Sequence, residues 1–263
     1  MGLGLGLGVY SSPYTGGFSI KEISGLQAWY KFNTLHTLDG NDLEEWGDSS
    51  GNNRTLTNTI ATNKRPTVEA SGRVDWGDVS SSFMNISNGP IPNSSAYTVI
   101  VVVEHPVAQV NRISRYLNDP SSGVIQDTIS WGTSSFNTNQ TWQAVINGFG
   151  DTTTRVSLTS ATGKLVNNQK TIISYRYGGG TTAGDTTFKV ETVADGGSLT
   201  TAKSVVNLTN TSDAVLNGTT VGFNSTTQFI DGYMDEMCVW NRDIDGTELT
   251  KVIADLKARH NMT

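Results

Sequence analysis

The residues of this sequence best placed to do acid–base chemistry are three carboxylates near its end, Asp231, Asp235 and Glu236. Retaining cleavage of a glycosidic bond needs two carboxyl groups about 5–5.5 Å apart, and inverting cleavage needs them about 6.5–9.5 Å apart. On the strand predicted here, Asp231 and Asp235 share one face at about 13 Å, while Glu236 points to the other face with Met234 and Cys238. That separation suits neither mechanism, so we expect no catalytic residue and a protein that is not an enzyme.

Side chains that bind metals or act as nucleophiles are scattered along the chain. The histidines, His36, His105 and His260, are separated in sequence from one another and from the single cysteine, so no zinc-site spacing is present. Cys238 lies in the apolar run from Met237 to Trp240, which predicts a buried, inert thiol. We therefore expect no metal site and no cofactor.

The composition is acidic and rich in residues that favour strands and turns. The 263 residues carry a formal net charge of −6, and 16% of them are charged. No Lys/Arg cluster gives the basic face that nucleic-acid binding needs. The longest strongly apolar run, 99–103, is far shorter than the ~20 residues that span a bilayer. We therefore expect neither a nucleic-acid nor a membrane partner.

Residues 1–19 are predicted to be a separate, extended Gly/Leu-rich arm. Apolar residues alternate with glycine, which places the apolar side chains on one face of an extended strand. We predict that the arm orders against neighbouring subunits; the alternative is a Gly-rich tail without fixed structure. The residues assigned to assembly are Leu3, Leu5, Leu7, Val9 and Tyr10. The stretch has neither the basic start nor the unbroken apolar run of a secretory signal.

The rest of the chain, 20–263, is predicted to be one β-rich domain. Turn residues recur at short spacing, and the strand Tyr97–Glu104 is apolar on both faces, which predicts a central position. A polar loop that includes 46–53 is predicted after the first strand. One helix, 246–260, ends the domain: Asp245 and Glu248 have capping-box spacing, and an apolar stripe follows at i, i+3, i+4 and i+7. This helix is expected to lie flat against the sheets.

Three stretches carry the pattern of a known family. They are Gly25-Leu-Gln-Ala-Trp-Tyr-Lys-Phe32, Trp46-Gly-Asp-Ser-Ser-Gly-Asn-Asn53 and the segment from Phe229 to Asp245. The first two resemble the opening, and the third the closing strand and turn, of concanavalin A-like domains of the laminin-G type. The resemblance implies an all-β, concanavalin A-like β-sandwich jelly roll with one C-terminal α-helix. It also implies a structural role for Glu236 near the closing turn.

The same resemblance opens two binding interpretations. Laminin-G domains sometimes hold calcium at the sandwich rim, and Asp48 is an oxygen ligand of the right type, although Asp is also an ordinary turn residue. Glycan binding would use an aromatic ring that stacks on a sugar, and Trp76, Trp131 and Trp142 are the candidates. A Trp at the edge of a sandwich is, however, more often part of the core.

A repetitive Gly-Leu start joined to such a domain, without a signal sequence, resembles structural proteins of tailed bacteriophages, marine ones in particular. This resemblance implies a non-enzymatic virion protein, decorating the capsid or associated with the tail and made in the host cytoplasm. Its partners would be other virion proteins or copies of itself, held through the arm. Two alternatives stay open: a carbohydrate-binding adhesin module with a host-surface glycan as partner, and a polysaccharide-acting glycoside hydrolase on the same fold.

Overall fold

The computed structural model of the protein describes residues 18–59, 62–77, 82–86, 96–104, 113–119, 126–132, 143–147, 155–159, 168–178, 187–206, 220–222, 230 and 232–263. In these residues the chain forms seventeen strands, one α-helix and two short 3-10 turns at Ile20–Glu22 and Thr62–Lys64. The strands are β1 (Leu26–Tyr30), β2 (His36–Asp39), β3 (Asp42–Trp46), β4 (Leu56–Thr57), β5 (Thr67–Val68), β6 (Val74–Asp75), β7 (Phe83–Ile86), β8 (Tyr97–Glu104), β9 (Ile113–Asp119), β10 (Gln126–Gly132), β11 (Gln143–Asn147), β12 (Arg155–Thr159), β13 (Thr171–Tyr177), β14 (Thr187–Ala194), β15 (Thr200–Val206), β16 (Thr220–Gly222) and β17 (Tyr233–Trp240). The helix α1 spans Gly246–Arg259.

Most of these strands belong to one antiparallel sheet that curls over the core. Its order is β10-β9-β16-β7-β4-β3-β5-β6-β17-β8-β13-β14-β15, with β1 paired to β17 and β2 paired to β3, while β11 and β12 pair separately. The two halves of the curled sheet pack face to face and α1 ends the chain. The all-β sandwich with one C-terminal helix that the sequence predicts is therefore confirmed.

The inner core lies between the two halves of the sheet. Val99, Val101 and Val103 of β8 pack there with Trp46 of β3 and Met237 of β17. Strand β8 is hydrogen-bonded to β13 on one side and to β17 on the other. The predicted central position of this strand is confirmed, because every residue of β8 except the last is buried.

Helix α1 covers the outer face of the same strands. Its apolar stripe is buried, and it packs on alternate residues of the sheet such as Ile100, Val102 and Cys238. The predicted capping box is present, since the Asp245 carboxylate accepts from the backbone N–H of Glu248 at 2.8 Å. Within the described residues, no helix has both the length and the apolar character to cross a membrane.

A β-bulge at Asp235 changes which way the side chains of β17 face. Met234 pairs with Val103 and Glu236 pairs with the adjacent Val102, so Asp235 is the extra residue. Met234 consequently packs in the inner core, while Glu236 lies on the helix side. The prediction that Met234 shares a face with Glu236 and Cys238 is wrong, because one inserted residue reverses the alternation of side chains.

The hairpin of β2 and β3 stands in the region where the sequence analysis predicts only a polar loop. Its turn contains Gly40, whose φ of 65° lies in the left-handed region. An Asp-Gly pair at this point favours a tight hairpin turn. Leu43 and Trp46 of β3 are both fully buried although they are three residues apart, because the pairing of β2 with β3 shifts by one residue between them.

Candidate functional site

The carboxylate of Glu236 is the centre of a buried polar cluster beneath α1. It accepts a hydrogen bond from the indole Nε1 of Trp29 at 2.6 Å and one from the backbone N–H of Phe32 at 3.3 Å. It also lies 2.9 Å from Nε2 of His260 and 3.2 Å from Nε of Arg259. These contacts join β1, β17 and α1, in agreement with the structural role that the resemblance implies for Glu236.

The charge of Glu236 is kept by its partners. Burial by itself raises the pKa of this carboxyl, but the hydrogen bond from His260 and the positive charge of Arg259 outweigh burial and hold the pKa below its usual value. An ionised carboxylate that is paired and hydrogen-bonded is stable in such surroundings. Glu236 is therefore a fixed negative charge under the helix at neutral pH.

A cavity of about 280 Å³ lies beside this cluster. We call it the Trp29 cavity. Its lining combines the rings of Phe18 and Trp29 with the charged side chains of Lys31, Asp255 and Arg259 and the small side chain of Ala258. One wall therefore comes from β1 and the chain that enters it, and the other wall comes from the last turns of α1.

The local structure explains why these side chains meet. Along β1, Ala28 and Tyr30 belong to the inner core, so the alternation of a strand sends Trp29 toward the helix. On α1, Asp255 and Arg259 are four residues apart, which places them on the same face, where they form an ion pair. The cavity thus depends on the packing of α1 against β1.

The electrostatics of the cavity centre on Arg259. Its guanidinium pairs with Asp255 on the cavity wall and with Glu236 beneath it, and lies 5.1 Å from the centre of the Trp29 ring. Burial raises the pKa of Asp255, and the charge of Arg259 opposes that rise. The ammonium of Lys31 lies 5.3 Å from the centre of the same ring. The cavity therefore offers an aromatic surface beside hydrogen-bonding groups of both signs.

A second polar group of side chains, the Arg73 cluster, lies where β6 meets the start of β17. The guanidinium of Arg73 bonds Asp235 and Glu104, each at 3.0 Å, and stacks on the Tyr233 ring with its carbon 3.8 Å from the ring centre. The Tyr233 hydroxyl donates to Glu69 at 2.7 Å. This bond and partial burial raise the pKa of Tyr233 to about 12, so the phenol stays protonated at neutral pH.

Asp235 is the buried member of the Arg73 cluster. Burial raises its pKa, and the charge of Arg73 opposes that rise. Its side chain has no exposed surface, whereas that of Glu104 is 18% exposed. Two carboxyl groups thus face one guanidinium in different surroundings, which is a way of giving two acids different roles. Asp231, the third carboxylate of the sequence analysis, lies outside the described residues.

Asp48, the predicted calcium ligand, is fully engaged in its own loop. One carboxylate oxygen accepts from the backbone N–H groups of Trp29 at 2.9 Å and Ser50 at 2.8 Å. The other accepts from the Ser50 hydroxyl at 2.7 Å and the Arg54 N–H at 3.1 Å. These donors occupy the lone pairs that a cation would need, so Asp48 serves as a loop-forming residue here.

Of the three tryptophans considered for sugar stacking, only Trp76 has a side chain that the structure describes. Trp76 is fully buried and its indole N–H donates to the Met234 carbonyl at 3.3 Å. A stacking role for Trp76 is therefore wrong, because the ring is inside the core. Trp131 lies on β10, but its side chain and the whole of Trp142 are outside what the structure describes.

The arm residues, Leu3, Leu5, Leu7, Val9 and Tyr10, also lie outside the described residues, so their assembly role stays a prediction.

The remaining reactive side chains have structural surroundings. Cys238 is buried, as predicted, and burial raises the pKa of its thiol well above the usual value. His260 is buried against Glu236. In the parts of the chain that the structure describes, no group of three or more His, Cys, Asp or Glu side chains is arranged to hold a metal ion.

The comparisons with known proteins bear on the fold. No protein-family model and no curated protein sequence matches this chain. Among solved structures, domain 4 of AbnA, a GH43 extracellular arabinanase from Geobacillus stearothermophilus solved in complex with arabinotriose, matches with a TM-score of 0.53 and 17% identity. The match covers 86% of this chain and 97% of that domain.

Two further matches are parts of longer enzymes. A GH54 α-L-arabinofuranosidase matches with a TM-score of 0.58 and 11% identity over 83% of this chain and 51% of that one. An arabinofuranosidase complexed with arabinofuranosyl-α-1,2-xylobiose matches with a TM-score of 0.56 and 12% identity over 90% of this chain and 60% of that one. The chain therefore spans about half of each of these two enzymes, and identities this low show the fold alone.

These matches correct one expectation from the sequence. The chain was expected not to be an enzyme, but the similar structures are mainly arabinanases, arabinofuranosidases and sialidases. That expectation, drawn from the spacing of the carboxylates near the end of the chain, is wrong, because the fold occurs in glycoside hydrolases. The virion role receives no support from the comparisons and stays a prediction.

The sequence analysis did not identify the residues of the Trp29 cavity as a site. Trp29 stands in a stretch that carries the family resemblance, and Arg259 stands at the end of the predicted helix. One signal could have found Trp29. A large apolar side chain on the outer face of a strand must be covered by another element, and the alternation of β1 places Trp29 on that face. Which element covers it is decided by tertiary packing.

Proposed function

We propose that the sandwich is a carbohydrate-binding domain and that the Trp29 cavity is its sugar-binding site. The observation that carries this proposal is the lining of the cavity, in which an indole ring stands beside an ammonium, a guanidinium and a carboxylate. Small-molecule sites generally combine aromatic walls with a few polar groups that fix orientation. A sugar unit presents both an apolar C–H face and a ring of hydroxyl groups, so it complements such a lining.

The size of the cavity fits a small sugar. Its volume of about 280 Å³ lies just below the ~300–1,000 Å³ that is usual for small-molecule sites. Lys31 can donate to hydroxyl oxygens, and Asp255 can accept from hydroxyl groups. The similarity to an arabinanase domain solved with arabinotriose supports a sugar as the ligand class.

The experiment uses two alanines that differ only in their position on α1. Ala258 and Ala254 are both exposed on the helix, but only Ala258 lines the cavity. Binding of arabinotriose, xylotriose and galactotriose is measured by calorimetry. We expect at least one of them to bind the native protein, Ala258→Trp to abolish that binding, and Ala254→Trp to retain it. Binding that survives Ala258→Trp unchanged would place the sugar elsewhere, and no binding in a broad glycan panel would overturn the proposal.

Glycoside cleavage is a second candidate function, which the Arg73 cluster favours. Asp235, whose pKa is raised, and Glu104 face the same guanidinium, and two carboxyl groups in different surroundings can divide the two roles that glycosidic cleavage needs. Because Asp235 has no exposed surface, a substrate would reach it only after Arg73 moves. Binding in the Trp29 cavity needs no such change, so the geometry supports binding better.

A cleavage assay on polysaccharides tests this second function. Release of reducing sugar from arabinan, laminarin or agar would support cleavage, and Asp235→Asn should then abolish it. The matched control is Asp39→Asn, because Asp39 also pairs with an arginine, Arg65, but its side chain is 68% exposed. If both variants release sugar at the native rate, Asp235 has no part in the reaction.

Virion assembly through the arm is a separate proposal that rests on the sequence alone. Leucine and glycine alternate in the arm, and this pattern gives an extended strand one apolar face. Deleting residues 2–17 should leave a folded domain with an unchanged melting curve that no longer joins its lattice. Normal assembly of the truncated chain would contradict the proposal.

A further inference from the structure

We infer that the sugar taken by the Trp29 cavity carries a carboxylate and that Lys31 is the residue that selects it. This inference rests on the proposed function and names the ligand class of the same site. The support is that, among the lining groups without a partner in the protein, hydrogen-bond donors outnumber acceptors.

Among the described residues, Lys31 is the cation of the cavity whose ammonium forms no ion pair, although its charge acts on Asp255 from a longer distance. In the part of the chain that the structure describes, no ion pair joins its ammonium to an Asp or Glu. The side chain does not extend freely into solvent either, because its ammonium lies 5.3 Å from the centre of the Trp29 ring. Lys31 is thus held at the cavity with its three N–H donors available.

The other charged groups of the cavity are already paired. Arg259 shares its guanidinium between Asp255 and Glu236, and Glu236 has no exposed surface and receives hydrogen bonds from Trp29 and Phe32 as well. The polar side-chain groups that remain for a ligand are therefore the donors of Lys31, the hydroxyl of Ser19, whose oxygen already accepts from the backbone N–H of Lys21, and the oxygen of Asp255 that Arg259 does not contact. This lining has more donors than acceptors, so it complements a ligand with more acceptors than donors.

A carboxylated sugar meets that requirement better than a neutral one. Its carboxylate supplies acceptor oxygens and a charge opposite to that of Lys31, and charge-assisted hydrogen bonds are stronger than neutral ones. Asp255 stands on the α1 side of the cavity and repels a second carboxylate, so it orients the ligand with its hydroxyl groups toward the helix and its acid group toward Lys31. The indole ring of Trp29 lines the same cavity and offers the surface on which the sugar ring would stack.

The test compares sugars that differ only in that charge. Binding to the full chain is measured by calorimetry for trigalacturonate against its methyl ester and for 3′-sialyllactose against its methyl ester. We expect the acidic member of at least one pair to bind about tenfold more tightly than its neutral partner, and raised salt to reduce the difference.

The variants assign the preference to one side chain. Lys31→Gln should remove the preference for the acidic sugar, and Lys31→Arg should retain it. Lys21→Gln is the matched control, because it makes the same change of charge at an exposed lysine nearby that does not line the cavity; its preference should equal that of the native protein. Melting curves of all variants show that the fold is intact.

The outcomes separate this inference from the proposed function. If neutral trisaccharides bind in the cavity and neither acidic sugar binds more tightly, the charge selection is overturned and carbohydrate binding stands. If the acidic preference survives Lys31→Gln, another residue selects the charge and the assignment to Lys31 fails. If no sugar of any kind binds, both the inference and the proposed function are overturned.

Discussion

The indole N–H of Trp29 donates a hydrogen bond of 2.6 Å to the carboxylate of Glu236, which lies 207 residues later in the chain. This bond ties the first strand of the sandwich to the last one. The same carboxylate contacts His260 and Arg259 at the end of α1. One buried negative charge therefore fixes the helix, the closing strand and the wall of the proposed sugar site relative to one another.

We predict that Glu236→Gln destabilises the protein by about 3 kcal/mol at pH 7. The amide keeps the shape of the side chain but removes the charge that Arg259 and His260 contact, and breaking a buried charge pair on one side costs about 3–5 kcal/mol, less here because Arg259 is partly exposed. Urea denaturation measures the change. Glu45→Gln, at a partly exposed glutamate, should change the free energy of unfolding by less than about 0.5 kcal/mol.

The difference between the native protein and Glu236→Gln should depend on pH. The pKa of Glu236 is lower in the folded protein than its usual value near 4.5. A group with a lowered folded pKa contributes stability above its unfolded pKa and loses that contribution as the pH falls through the folded pKa. The stability gap should thus be constant from pH 7 to about pH 5 and shrink below about pH 4.5.

Comparing the two proteins at each pH removes the effects of acids that do not interact with Glu236. Asp235 has a raised pKa, so its protonation acts in the opposite direction, but it does so in both proteins. The pKa of Asp255 is raised in part by the charge of Glu236, so both proteins are also compared with Asp255 replaced by Asn. Urea denaturation at pH 3, 4, 5 and 7 gives the gap. A gap that stays the same down to pH 3 would show that Glu236 does not lose its charge there or that its charge does not stabilise the fold.

The sequence predicted the elements whose signals are local. The capping box at Asp245 and Glu248, the helix stripe and the strand Tyr97–Glu104 are all found where the pattern placed them. Each of these signals is carried by residues within one turn or one strand. The Asp39-Gly40 pair was also a local signal, and the β2–β3 hairpin was missed because its solvent face reads as a polar loop.

The site could not be predicted in the same way. The Trp29 cavity brings together side chains from opposite ends of the described chain, such as Lys31 and Arg259, and no spacing in the sequence encodes that contact. The bulge at Asp235 is a further reason, since it moves Met234 to the other face of β17. A carboxylate pattern read from strict alternation therefore assigns side chains to the wrong face at this strand.

We predict that removing the Arg73–Asp235 ion pair as a whole lowers the free energy of unfolding by less than removing Arg73 alone. Arg73→Leu leaves the fully buried Asp235 without its ion pair and should cost about 3 kcal/mol. Replacing both residues by leucine removes the buried charge as well, so the double variant should be more stable than Arg73→Leu. Urea denaturation of the two single variants and the double variant completes the cycle.

The pH dependence of Arg73→Leu gives an independent check. Without the guanidinium, the pKa of Asp235 should rise further, because burial is then opposed by less positive charge. A group with a raised folded pKa adds stability once it is protonated, so the loss caused by Arg73→Leu should shrink as the pH is lowered from 7 to 5. A loss that is the same at both values would mean that Asp235 finds another partner.

We predict that α1 is an integral part of the core, so that a charge on its buried face cannot be accommodated. Leu256 is fully buried between the helix and the outer face of the sheet, whereas Ala254 is exposed on the same helix. Leu256→Asp places an unpaired carboxylate against the sheet and should lower the free energy of unfolding by about 4 kcal/mol or prevent folding. Ala254→Asp introduces the same residue into the same helix on its outer face, so it controls for helix propensity and charge and should cost under about 1 kcal/mol.

The milder Leu256→Ala, expected at about 2–5 kcal/mol, keeps the test informative if the aspartate variant does not fold. Equal melting temperatures for Leu256→Ala and the native protein would show that the helix is not packed on β8 and β17, and the wall of the Trp29 cavity would then be lost with it.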